Sequence, residues 1–287
     1  MKTKTLFMIA AISILIFTSC KKDIKDPDMS GFELADDDAV SEAVFEDVFN
    51  SADNATIMLD EVMKGGSSKS DILSEDSCPV ISVTHPSTGV WPKILTLDFG
   101  TGCTGFFDNT RSGKIIVEVT GPRYETGSKR MVTFDNYYFN GIKVEGEKVF
   151  ENLGPNENQN PVISVKLTGG KLILPDGTVI ERNAEHQREW IAGFDTRNIW
   201  DDECLINGVA SGVNLKGYEY TRTITTALHW KRVCKFIVSG VIKLEREGAE
   251  TAELDYGSGE CDNKATVTVG EETKEIQLRH RHRNWIN

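Results

Sequence analysis

Several features are scarce in this 287-residue chain, and each shortage removes a class of function. No apolar run reaches the roughly 20 residues that cross a bilayer as a helix; the run at residues 6–17 has 12, interrupted by Ser13. Basic residues do not prevail: 32 Lys and Arg stand against 44 Asp and Glu, which disfavours a nucleic-acid partner. The six cysteines include no CxxC pair and no Cys/His cluster at zinc spacing, so structural zinc is not expected. There is no GxSxG nucleophile elbow. Strand-like and helix-like segments do not alternate, which argues against a parallel nucleotide-binding sheet.

The start of the chain carries the strongest signal. Lys2 and Lys4 precede the apolar run, and Thr18, Ser19 and Cys20 follow it. A basic start, a short apolar core and small residues before a cut site read as a secretory signal peptide over residues 1–19. Phe17-Thr18-Ser19-Cys20 resembles the lipobox of bacterial lipoproteins. That resemblance implies that Cys20 becomes the first mature residue and is acylated on thiol and amine with chains such as palmitate. At about 0.8 kcal/mol per buried methylene, several chains make an effectively permanent anchor. Residues 20–38 are polar and lack a sustained period, so they read as the acylated Cys and a flexible tether. Lys22-Asp23 resembles part of the surface-export signal of Bacteroidetes-type lipoproteins, which leaves a periplasmic and a surface-facing position at the outer membrane both open. Without Lys2 and Lys4 the balance is 30 basic to 44 acidic, read as solubility rather than as a partner.

Residues 39–66 read as one helix. Apolar side chains at 40, 44, 45, 48, 49 and 52 form a stripe, Asp38 is a candidate N-cap, and Gly65-Gly66 a candidate stop. Such a helix docks on a sheet or plugs a barrel end. From residue 78 to 287 short segments rich in Val, Ile, Thr, Tyr and Phe alternate with turn clusters. Asn140-Gly141 is a two-residue hairpin signal and Pro175-Asp176-Gly177 a second turn. About a dozen strands with short connections predict an all-β, antiparallel meander, either a sandwich or a curled half-barrel, with one N-terminal helix.

A phrase recurs: LDFGTGC at 97–103 and LDYGSGEC at 254–261. Extended backwards, each copy begins with a cysteine, Cys78 or Cys234, and each continues through Asp-Asn into a Val-rich strand. This is an internal repeat of a hairpin plus a third strand, over 78–119 and 234–269. Folding the second copy about residues 247–248 sets Cys234 opposite Cys261, and the first copy turns midway between Cys78 and Cys103. Antiparallel partners lie within the 4.4–6.8 Å that a disulfide requires, so Cys78–Cys103 and Cys234–Cys261 are expected bridges and Cys204 is left alone. Gly100, Gly102, Gly257 and Gly259 then serve a turn or bulge. Strands follow, so the phrase is no phosphate loop, and Asp98 and Asp255 should bind local amides rather than calcium. The phrase also resembles the DFGDG turn of polycystic-kidney-disease-type modules over about 25 residues per copy.

Other candidates are sparse. His280 and His282 share a strand face, and Asp201 and Asp202 adjoin in Trp200-Asp201-Asp202-Glu203; these are weak metal candidates, and no metal or cofactor is expected. His186 with Glu185 and Glu189, or His229 beside Trp230, could do acid/base work. Trp190, Trp200, Trp230 and Tyr218 could stack on sugars. The lipobox, the paired LD[FY]G phrases, TFDNYYFNGIKVEG, REWIAGF and YTRTITTALHWKRVC together resemble the uncharacterised Bacteroidetes-type cell-envelope lipoproteins. That group brings no established activity, so it supplies no catalytic residues. The expected role is binding or structure at the envelope, with the membrane as partner through the anchor and a glycan, lipid or protein as ligand. A carrier of an apolar ligand in a half-barrel and an envelope hydrolase are the alternatives, and catalysis is the less favoured.

Overall fold

The computed structural model describes residues 30–63, 78–84, 89–104, 109–196, 198–234 and 236–278. Among the described residues one α-helix, α1 (Ser30–Met63), precedes fourteen strands. These are β1 (Val80–Val83), β2 (Lys93–Asp98), β3 (Cys103–Thr104), β4 (Thr110–Val119), β5 (Lys129–Phe139), β6 (Ile142–Pro155) and β7 (Pro161–Ile173). They continue as β8 (Val179–Ala192), β9 (Glu203–Val213), β10 (Glu219–Lys231), β11 (Ile237–Glu245), β12 (Ala252–Ser258), β13 (Lys264–Val269) and β14 (Glu272–Gln277). All belong to one antiparallel sheet in chain order, except that β2 pairs with β4 and the two-residue β3 adds to the end of β4. Of the two expected architectures, the single continuous sheet is the curled one, and its path ends at β1 and β14 without closing.

The turns are those the residues dictate. Asn140-Gly141, at φ 50° and 81°, joins β5 to β6 directly. The Gly177 amide donates to the Leu174 carbonyl at 2.9 Å in the Pro-Asp-Gly turn. Long strands must bend to curl, and glycines sit at the register shifts. Gly113 has φ 77°, and a Cβ there would lie 1.9 Å from the Asn136 carbonyl oxygen of the paired strand. No other residue fits that approach.

The sheet curls around α1. Phe45 packs at Gly170 of β7, and its carbonyl accepts from Lys148 of β6 at 2.7 Å. Glu46 pairs with Arg188 of β8, and Asp47 with Arg111 of β4. Successive helical residues point about 100° apart, so these three neighbours meet three different walls. Near its start, Gly31 lies against Val269 of β13 and Ala252 of β12. Phe49 sits at the middle of the interior, with its ring 5.1 Å from Phe150 and 6.0 Å from Trp190.

Two expectations about this segment need correction. Residues 30–38, read as the end of the tether, are helical, with Phe32, Leu34, Ala35, Asp37 and Asp38 buried. Asp38 is therefore no N-cap; it lies two turns inside the helix. The acidic run looked solvent-facing because the cations that receive it lie 144 residues and more downstream. Gly65-Gly66 and the stop assigned to them lie outside the described residues, as do Cys20 and the signal.

The repeat forms the two flanks of the sheet, β1-β2-β4 and β11-β12-β13. Both disulfides are present, Cys78–Cys103 with Cα atoms 6.1 Å apart and Cys234–Cys261 with 5.0 Å. Cys204 is free and buried. Neither bridge joins directly opposed ladder residues, however. Val80 pairs with Asp98, while Cys103 lies beyond the turn in β3, opposite Arg111. Cys234 ends the 3-10 turn Arg232–Cys234, and Cys261 lies past the end of β12. Gly100, Gly102, Gly257 and Gly259 have φ of 57°, 143°, 90° and 111°, and they redirect the chain before each second cysteine. The two aspartates act alike: Asp98 accepts from the Gly100 amide and Asp255 from the Gly257 amide, each at 2.8 Å. Lys114, 2.9 Å away, and that amide hold the exposed Asp98 carboxyl below its ordinary range.

Candidate functional site

The interior of the trough is the most unusual part of the molecule. On β8, Ile180, Arg182, Ala184, His186, Arg188 and Trp190 alternate onto the inner face and are all buried. Arg111 of β4, Arg130 of β5, Lys148 of β6 and Arg222 of β10 are likewise buried and point inward. Helix α1 carries ten carboxylates and no basic residue, and five of those carboxylates meet the cations of the lining.

Asp38 is shared between two strands: Arg182 Nη1 donates to Oδ1 at 2.5 Å, and Arg222 Nε lies 3.0 Å from Oδ2. One helical turn on, Glu42 takes Arg182 Nη2 at 2.7 Å and has Arg222 Nη2 at 3.7 Å. Burial alone would raise the Glu42 carboxyl, but Arg222, Arg182 and, less strongly, Lys148 outweigh it and hold it far below the ordinary range. Tyr220 reaches Arg182 at 3.3 Å, and burial pushes its hydroxyl up to about 12. Glu46 and Arg188 form a two-pronged pair, with the Arg188 guanidinium 4.1 Å from the Phe49 ring. The thiol of Cys204 lies 4.0 Å from Arg188, and burial pushes it up to about 12, so it is an unreactive thiol. Asp47 and Arg111 form a second two-pronged pair.

Towards the end of α1, Asp53 serves three cations: Arg130 at 2.5 Å, Arg123 at 3.4 Å and Arg232 at 3.8 Å. Burial opposes its ionisation, but Arg123, Arg130 and Arg232 prevail and hold its pKa at about 2. Arg232 is shared with Asp202 at 3.2 Å, whose carboxyl burial raises to about 6. Lys148 is buried among Phe45, Phe49 and Phe150, and desolvation lowers its pKa to about 8 against the pull of Glu46. His186 has no hydrogen-bond partner on either ring nitrogen among the described residues, and burial holds it neutral, its pKa well below the ordinary value.

This arrangement recognises an acidic rod with apolar ridges, and α1 is that rod. Buried pairs of this kind give little net stability over apolar packing, but they penalise any misplaced register strongly, because a shifted helix would leave charges unpaired. The gap left beside α1, bordered by Glu42, Glu46, Ile206, Trp230, Tyr256 and Leu278, measures about 50 Å³. That is room for a few water molecules and far below the several hundred Å³ of a small-molecule site.

The residues singled out earlier are dispersed. Glu185 and Glu189 lie on the outer face of β8, opposite to His186; Glu185 pairs with Lys166, and Glu189 accepts from Asn156 and Asn160. The acid/base trio is therefore not assembled, since strand neighbours alternate faces. His229 meets Glu203 at 2.8 Å, while the adjoining Trp230 points into the core. Asp201 is exposed and accepts from Thr196, whereas Asp202 turns inward to Arg232, so the two carboxylates diverge. Among the described residues no three His, Cys, Asp or Glu side chains gather as metal ligands. His280 and His282 lie outside the described residues. Trp190 and Trp230 are core, and only Trp200 (40% exposed) and Tyr218 (44%) are open to a ligand, on separate elements. Sequence reading missed the helix carboxylates and the inward arginines. The available signal was parity, since Arg182 and Arg188 share the face of Ile180 and Trp190. The chain matches no protein-family model, no curated protein and no solved structure.

Proposed function

We propose that the protein is a lipoprotein of the cell envelope, anchored through Cys20 in the outer membrane, in which the β trough performs a binding or structural role rather than catalysis. The observation that carries this reading is the fit between α1 and the trough: the interior charges are matched to a docked helix, not poised around a reacting group. Only nine residues, 21–29, separate Cys20 from the start of α1, and ten steps of about 3.5 Å keep the start of the helix within about 35 Å of the anchor. The domain would stand close to the bilayer, facing the periplasm or the exterior. Carriage of a lipid or other apolar ligand inside the trough would require α1 to leave as a lid, because the gap beside it is too small. The test is membrane fractionation with mass analysis of the mature N-terminus. The Cys20→Ala chain should move to the soluble fraction and lose its acyl mass; continued membrane retention of that variant overturns the anchor.

A further inference from the structure

Helix α1 contains ten of the 44 acidic residues of the chain and none of its 32 basic ones. The rest of the molecule therefore carries 34 acidic and 32 basic residues, a net charge of only −2 against −12 for the whole. The acidity that looked like a solubilising surface belongs largely to one segment lodged in a cationic interior. An ordinary apolar core cannot be parted without exposing two greasy faces. Here both faces mix charged groups with the apolar ones, Phe45 and Phe49 among them, so separation exposes apolar surface but also lets the buried charges of both faces hydrate.

The covalent bracing and the ladder bonds of the trough are independent of its occupant. Every ladder hydrogen bond runs between strands, and α1 contributes none of them. A disulfide braces each flank, Cys78–Cys103 at one and Cys234–Cys261 at the other, and neither involves α1. The link between helix and sheet is residues 64–79, sixteen residues with a contour of about 55 Å. The helix itself is about 51 Å long, 34 residues at 1.5 Å each. The linker is thus long enough for α1 to leave its own trough and lie in that of a neighbour. A second copy of this chain is the partner whose chemistry is already shown to fit.

We propose that the trough is an exchangeable docking site for an acidic amphipathic helix, filled in cis by α1 and able to take α1 from a second copy of the chain in trans. This deepens the binding role proposed above and is independent of the anchor, so it is tested on the full chain carrying Cys20→Ala.

The probe is a fluorescent peptide of residues 30–63. At a temperature just below unfolding it should be taken up, one per chain, and a peptide with Asp38→Asn and Asp53→Asn should bind at least about tenfold more weakly. A full chain with the same two substitutions in its own α1 should take up the wild-type peptide more readily, because its cis helix competes less. Should that chain fail to fold, Glu46→Gln serves in its place. Two differently tagged copies should co-purify after warming, and excess wild-type peptide should block this whereas the neutralised peptide should not. No uptake by the wild-type or the weakened chain, equal uptake of the two peptides, or co-purification insensitive to peptide would each overturn the proposal. Membrane fractionation of the unsubstituted protein reads the anchor separately, so loss of one reading leaves the other standing.

Discussion

Asp53→Asn is the most informative single change in the interior. The Asp53 side chain is 1% exposed and lies among Arg123, Arg130 and Arg232. Its pKa falls from 3.8 to about 2 on folding, because Arg123, Arg130 and Arg232 outweigh burial, so the ionised form stabilises the fold over the neutral form by on the order of 2 kcal/mol. Substitution by Asn also leaves three guanidinium groups facing one another, and removing one partner of a buried pair costs about 3–5 kcal/mol. A loss of about 3–5 kcal/mol is therefore expected in urea unfolding at pH 7, within reach of the 5–15 kcal/mol of a typical domain. In the double variant with Arg130→Met the loss should be smaller than the sum of the two single losses, since one excess cation is gone. The pH dependence has a definite sign. Because the folded pKa lies below the unfolded one, this contribution is complete above about pH 4 and disappears as the pH falls towards 2. Strict additivity in the cycle, or a loss below about 0.5 kcal/mol, would show that Asp53 is solvated and that the interior network does not hold α1.

Three further outcomes follow from the same geometry. Lys148→Met should raise stability at pH 7 by about 1–3 kcal/mol in urea melts, because folding lowers the lysine pKa from 10.5 to about 8 and the buried charge is a net cost. It should also remove the gain in stability that the unsubstituted protein shows as pH rises from 8 to 10. Non-reducing peptide mapping should return Cys78 with Cys103 and Cys234 with Cys261, while Cys204 reacts with a thiol reagent only after unfolding; a Cys204 labelled rapidly in the native protein would contradict its burial. Gly113→Ala should lower the melting temperature by several degrees, whereas calcium or chelator should leave it unchanged, because Asp98 and Asp255 are occupied by amides.

The fold was legible where local chemistry decides it. Asn140-Gly141, Pro175-Asp176-Gly177 and the recurring glycine phrase announce turns, and strand alternation announces the meander. The helix stripe at residues 44, 45, 48, 49 and 52 was visible for the same reason. The start of α1 was not, because Asp36-Asp37-Asp38 has the composition of a linker and only Arg182 and Arg222 make it a buried segment. The disulfide partners could be read from spacing, but not their register, since Gly100 and Gly257 displace the chain where ideal pairing would continue straight. The candidate site was the least legible part. Its two halves lie up to about 140–180 residues apart, and each half alone looks like a solvated charged surface.

The place of α1 in the chain matters for how the molecule is assembled. Synthesis runs from the N-terminus, so the helix exists before any of the strands that enclose it. Neighbouring strands can zip together locally as they appear, but the wall against Gly31 is complete only when Val269 has been made. Through that interval α1 must wait without its container. An apolar helix of the same length would be prone to self-association during the wait, whereas ten like charges keep copies of α1 apart from one another and in water. The carboxylates that later fix its register among the arginines thus first disfavour self-association of the earliest-made part of the chain.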